Sequence, residues 1–171
     1  ARLFHLGFRI PHVLPLEHLT WPFPYEIFIC STQRAGSIAK DTLSVLPSDG
    51  SVPSSAVTLC LKDTDVQDYQ RFGLRMIVAP GDVGLPEQRA ACTRSLPTGA
   101  WAVFLDDDIT KFILPDATMT MHELFMLAFM TCRAGLWGLN VSMDPGNLRQ
   151  HVSHALGLVN GYCYGIVVDP D

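Results

Sequence analysis

Short apolar runs alternate with amphipathic or polar stretches along this chain, the rhythm of strands joined by helices. Tyr25 to Cys30 (YEIFIC) reads as a first strand, followed by the polar loop Ser31-Thr32-Gln33-Arg34. Ala35 to Leu46 has helical character, with Ile38, Leu43 and Leu46 on one side, and Pro47 to Ser55 (PSDGSVPSS) is loop by composition. Ala56 to Leu61 (AVTLCL) is a second strand ending at Lys62-Asp63, Val66 to Phe72 a short helix, and Leu74 to Ala79 (LRMIVA) a third strand. The Gly/Pro loop Pro80 to Gly84 leads into a helix over Leu85 to Leu96, which carries Gln88, Arg89 and Arg94. Ala100 to Leu105 is the fourth strand. A methionine-rich core helix follows at Met121 to Ala134, then two strand-like runs at Gly135 to Ser142 and Leu158 to Val168, with a loop at Asp144-Pro145-Gly146 between them.

Strand–helix alternation through the first two-thirds predicts parallel strands with right-handed crossovers, in an open α/β sheet flanked by helices. The loops after such strands all open on one edge. Ser31–Arg34, Asp63, Pro80–Gly84 and the residues after Leu105 are therefore expected to converge there, although distant in sequence.

The chemistry concentrates at Leu105-Asp106-Asp107-Asp108-Ile109, where a buried-type strand delivers three carboxylates. Adjacent carboxylates repel one another and lose hydration on burial, so a cation is their natural partner. Asp106 and Asp108 stand two apart and project to one side of an extended chain, a spacing that lets them share a hard divalent ion completed by a diphosphate. The duller explanation is an acidic turn, or Asp108 as a helix N-cap. Arg34 and Arg89 bring planar guanidinium forks suited to phosphate oxygens, and Asp63 can accept a hydrogen bond from a base or ribose. The same residues also read as solvated surface charge and a helix cap. His122, His151 and His154 are candidate metal ligands or acid/base groups that more often turn out structural.

Bulk properties narrow the partners. At 171 residues the chain has the length of one α/β domain, and its apolar content of 48% against 17% charged residues marks it as globular. A net charge of −5 argues against gripping nucleic acid by overall charge, without excluding a local basic groove. The five cysteines (Cys30, Cys60, Cys92, Cys132 and Cys163) are scattered with no CxxC pair, which argues against a zinc site or disulfide framework and favours a reducing, intracellular compartment. No apolar stretch reaches the ~20 residues of a membrane span. Residues 1–24 read as an N-terminal extension or edge segment and 25–171 as the domain proper. Both ends look cut.

In this order, CSTQRAGSIAKDTLSVL, VTLCLKD followed by Tyr69, IVAPGDVGLPEQRAACTRSL and WAVFLDDDITKFIL resemble a GT-A nucleotide-sugar glycosyltransferase, and among these the TET/JBP-associated glycosyltransferases. LWGLNVS and GLVNGYCYGIVVD resemble that family's second half. The resemblance spans nearly Tyr25 to Asp171, and LDDDI in context is its most specific element. It implies a GT-A-like open sheet, truncated at the C-terminus, that moves a sugar from a nucleotide-sugar (a UDP-sugar) to a hydroxyl acceptor such as a hydroxymethylated pyrimidine in DNA. Asp106 and Asp108 would coordinate Mn²⁺ or Mg²⁺ with the donor diphosphate. Asp63 and the loop residues Ser31, Gln33 and Arg34 would hold the nucleoside, with Arg89 near the phosphates. Gly84, Gln88 and Asp107 complete the expected donor-binding set. The family's further acidic motif, often the source of the acceptor-side base, has no clear equivalent before Asp171, so the catalytic base is unassigned.

Two rivals remain from the sequence. A metal-dependent phosphotransferase or phosphohydrolase would place its nucleophilic Asp after the first strand, where Ser31-Thr32-Gln33 stands instead. A non-catalytic GT-A-like binding module fits the missing acidic motif but not the intact triplet.

Overall fold

The computed structural model describes residues 23–46, 49–112, 114, 117–131, 135–139 and 163–168. Its strands are β1 (Glu26–Ser31), β2 (Val57–Lys62), β3 (Arg75–Ala79), β4 (Trp101–Leu105), β5 (Leu136–Gly138) and β6 (Cys163–Val167). The helices are α1 (Ala35–Ile38), α2 (Thr42–Val45), α3 (Val66–Tyr69), α4 (Leu85–Arg94) and α5 (Met121–Thr131). All six strands form one sheet in the order β3-β2-β1-β4-β6-β5. The pairs β1–β2, β2–β3 and β1–β4 are parallel, while β6 runs antiparallel to both β4 and β5. The expected open, mainly parallel α/β sheet is therefore present.

Strand order decides where a ligand can sit. From β1 the chain winds outward through β2 to β3, then returns to place β4 on the other side of β1. The winding thus reverses between β1 and β4, and open α/β sheets bind ligands beyond the carboxyl ends of the strands at such a point. Ser31 ends β1 and Asp106 follows β4.

The sheet is apolar on both faces, which explains why its parallel strands read as continuous apolar runs. Ile27, Ile29, Leu59, Leu61, Val103 and Leu105 share one core with Ile38 and with Phe125 and Phe129 of α5. Phe28, Cys60, Ala102 and Phe104 face the opposite way with Cys92 of α4. Residues of β1 and β4 thus alternate between the two cores with the period of two that a strand imposes.

Three boundaries differ from expectation. The single helix expected over Ala35–Leu46 is two short turns, broken at Ala39–Asp41. Gly36, Ser37 and Ser44 are weak helix formers, and the Ser44 hydroxyl donates to the carbonyls of Lys40 and Asp41 rather than leaving a continuous ladder. The break lets Thr42 reach the end of β4. The strands expected at Gly135–Ser142 and Leu158–Val168 are seen as Leu136–Gly138 and Cys163–Val167. Residues 140–142 and 158–162 of those runs, residues 1–22, Cys132, the loop at Asp144-Pro145-Gly146, His151 and His154 lie outside the described residues.

A polar ladder crosses the far end of the sheet. Glu26 of β1 is buried and accepts from the Thr58 hydroxyl of β2 and the Arg75 guanidinium of β3. Burial raises the Glu26 carboxyl above its ordinary value of 4.5, although the bonds from Thr58 and Arg75 pull it down. Folding therefore favours its proton, so this contribution is complete below about pH 4.5 and fades as pH rises through the higher folded value. Urea unfolding of the wild type and Glu26→Gln should show the wild type losing ground as pH rises above about 4.5. A pH-independent difference would contradict this.

Beyond β4, the Trp137 indole of β5 lies directly over Gly165 of β6, occupying the space a Cβ there would need. Gly165→Ala should therefore lower stability by about 1–3 kcal/mol through overpacking. Denaturant melts followed by tryptophan emission would measure it, and an unchanged midpoint would count against the packing.

Candidate functional site

Ser31 and Asp107 meet, both buried, at the carboxyl ends of β1 and β4. The Ser31 hydroxyl donates to Asp107 Oδ2 at 2.5 Å and lies 2.6 Å from the Tyr69 hydroxyl, which in turn accepts from the Arg34 amide at 3.0 Å. Arg34 then swings its guanidinium back, with one nitrogen 2.7 Å from Asp107 Oδ1 and 3.0 Å from Asp108 Oδ2. Asp107 is thus buried and satisfied on both oxygens. It is the residue that fastens the triplet to β1.

Asp106 is held from the other side. Arg89, on the second turn of α4, donates to Asp106 Oδ1 at 3.1 Å, and its guanidinium carbon lies 5.3 Å from the centre of the Tyr164 ring. Tyr164 stacks on Phe104, so β6 and β4 together support the arginine. Burial pushes the Asp106 carboxyl up; Arg89 opposes that, while Asp108 and Asp107 add repulsion. A charge on Asp106 is consequently costly, and Arg89 is the cation set against it.

The backbone of the triplet is fixed by a residue the sequence did not single out. Thr42, fully buried at the start of α2, donates its hydroxyl to the Asp106 carbonyl at 2.7 Å and accepts from the Ile109 amide at 2.9 Å. That one hydroxyl closes the turn Asp106–Ile109. No sequence signal marks it, because its partners are more than sixty positions away.

The other predicted residues divide. Gln33 takes a left-handed conformation (φ 55°), and its amide donates to Asp65 at 3.1 Å. Asp65, passed over in the sequence, is therefore the carboxylate that shapes the first loop. Asp63 Oδ1 accepts from the Thr64 amide and lies 2.7 Å from where a Cβ on Gly81 would stand. The loops after β2 and β3 do meet, and Gly81 permits the contact. Gly84 caps α4 in extended conformation. Gln88, expected in the donor-binding set, is buried on the sheet side of α4, and its side-chain nitrogen has no hydrogen-bond partner among the described residues. His122 is also structural in setting, bonded to the Tyr25 hydroxyl and packed on Phe23.

The cysteines depart most from the reading of their spacing. Cys30, Cys60 and Cys92 bring their sulfurs within 4.8 Å of one another, on the face covered by α4. Sequence distance hid this, since Cys30 and Cys60 are register partners on adjacent strands. All described cysteines are free thiols.

Set beside known proteins, the chain matches no family model and no curated protein. The crevice is defined by its own geometry: three carboxylates, two arginines, and a serine–tyrosine pair at the switch point of a parallel sheet.

Thr42→Val should leave the Asp106 carbonyl and the Ile109 amide without their partner. The expected loss is about 1–3 kcal/mol of stability, with Thr42→Ser recovering most of it. Parallel urea titrations of the two variants would check this; equal behaviour of Val and Ser would show the bridge to be unimportant.

Proposed function

We propose that this domain is a metal-dependent glycosyltransferase of GT-A type, using a nucleotide-sugar donor, with UDP-sugar as the leading candidate. The observation that carries the proposal is the position of Asp106 and Asp108 at the carboxyl end of β4, beside the β1 loop and between Arg34 and Arg89. Parallel α/β sheets bind ligands at such a switch point.

The donor set suits Mn²⁺ or Mg²⁺. Both ions take hard oxygen ligands, and Mg²⁺ in particular is often held by one or two carboxylates together with substrate phosphates. Asp106 and Asp108 would hold the ion, each arginine pair engaging one oxygen of its carboxylate. Such a cation supplies Lewis-acid stabilisation of the departing diphosphate. Arg34 and Arg89 place two guanidinium groups where phosphate charge would enter, and can exchange a carboxylate oxygen for a phosphate oxygen at little cost in geometry. Asp107 keeps its bonds to Ser31 and Arg34 and positions its neighbours rather than reacting. Ser31, Gln33, Asp63 and the loop to Gly84 line the nucleoside side, whereas buried Gln88 acts only through packing.

A hydroxymethylated pyrimidine in DNA is the acceptor we favour, on the sequence resemblance alone. The base that would take its proton is unassigned. A second reading, a binding module without turnover, draws support from the arginines, which already neutralise much of the triplet's charge.

Calorimetry with UDP should show Mn²⁺-dependent binding that Asp106→Asn and Asp108→Asn each weaken at least tenfold, about 1.4 kcal/mol, with little change in EDTA. Unchanged metal-dependent affinity in both variants would rule the site out. Donor hydrolysis or transfer to hydroxymethylated DNA then separates enzyme from binding module.

A further inference from the structure

We propose that Cys30, Cys60 and Cys92 form a binding site for a thiophilic d¹⁰ cation of the Zn²⁺ or Cu(I) class, held between the sheet and α4. This site is separate from the carboxylate crevice and does not depend on the glycosyltransferase reading.

Geometry carries the inference. Three sulfurs bound about 2.3 Å from one ion stand about 4 Å apart in a trigonal arrangement. The three sulfurs here already lie within 4.8 Å of one another, so closure needs only small rotations about χ1. They come from three separate, rigidly placed elements: β1, β2 and α4. Cys60 and Cys92 are fully buried, while Cys30 is partly exposed and offers the way in. Among the described residues no histidine or carboxylate joins the group. Three sulfur ligands without a hard oxygen donor select soft cations over Mg²⁺ or Ca²⁺. Three-coordinate Cu(I) fits the set as it stands, and Zn²⁺ fits with water as fourth ligand.

The three thiols are not equivalent. Hydrogen bonds from the Cys30 and Cys92 thiols hold the Cys60 thiol well below its ordinary range. In return, the bond to Cys60 pushes the Cys30 thiol up to about 12, and the bonds to Cys30 and Cys60 push the Cys92 thiol up as well, so the cluster favours one thiolate among its three sulfurs. The Cys60 thiol donates to the Gln88 carbonyl at 3.4 Å, one turn before Cys92, a bond that an entering cation would replace. An entering cation displaces the thiol protons to solvent and takes their place. Because Arg89 and Cys92 are three positions apart on α4, the ion would also stiffen the helix that aims Arg89 at Asp106.

The test uses the reduced full chain carrying Cys132→Ser, with Cd²⁺ as a spectroscopic probe and Zn²⁺ as competitor. Cd²⁺ should raise an ultraviolet thiolate-to-metal charge-transfer band that saturates at one ion per chain and is bleached by Zn²⁺. Cys92→Ser and Cys30→Ser should each lower the affinity at least tenfold, and Cys163→Ser should leave it unchanged. Cys30, on the exposed side, keeps the test decisive should the Cys92 variant fold poorly. Asp106→Asn should leave the band intact, which separates this site from the carboxylate crevice. No charge-transfer band, or a band of equal affinity in Cys30→Ser, would show the cluster to be ordinary apolar packing and overturn the proposal.

Discussion

The buried carboxylate of Asp107 is the constraint around which the crevice is organised. Charge removed from water must be matched by donors, and here Ser31 and Arg34 supply them from the strand and loop next door. Satisfying Asp107 welds the end of β1 to the end of β4 at the point where the sheet reverses its winding. It also leaves Asp106 and Asp108 on either side, each matched to a different arginine. The Tyr69 hydroxyl, bonded to both Ser31 and the Arg34 amide, extends the same network to α3.

The two faces of the sheet do different work. One is a thick aromatic and aliphatic core in which Phe125, Phe129, Trp101 and Trp137 pack edge and face. The other is thinner, roofed by α4, and built from small residues: Cys60, Cys92 and Ala102 beside Phe28 and Phe104. Small side chains bring α4 close to the strands, so that Arg89 reaches Asp106 and the thiols meet. The proximity of thiol cluster and carboxylate crevice is thus a consequence of one helix lying low on the sheet.

Much of the fold was legible in the chain. Strands buried on both faces leave continuous apolar runs, and all four parallel strands appear within a residue or two of their expected limits. The convergence of the post-strand loops also follows from alternation alone, and the meeting of Asp63 with Gly81 and of Gln33 with Asp65 bears that out. The break between α1 and α2 was not legible, because local periodicity carries no record of what Thr42 must reach. Nor was the burial of Gln88, whose polar side chain suggested exposure while its place on α4 turned it inward.

The sequence by itself determined the class of sheet, the edge on which polar chemistry collects, and the acidic triplet as the centre of that edge. These are properties of period and of residue type, and they survive in one dimension. Tertiary structure alone decided the division of labour within the triplet, with Asp107 as anchor and its neighbours turned to the arginines. It alone gathered Cys30, Cys60 and Cys92. Both outcomes depend on strand register and on the height of α4 above the sheet, quantities fixed by packing between segments 28 to 76 positions apart. No local pattern encodes such distances, because each is settled by the partner's side chains as much as by its own.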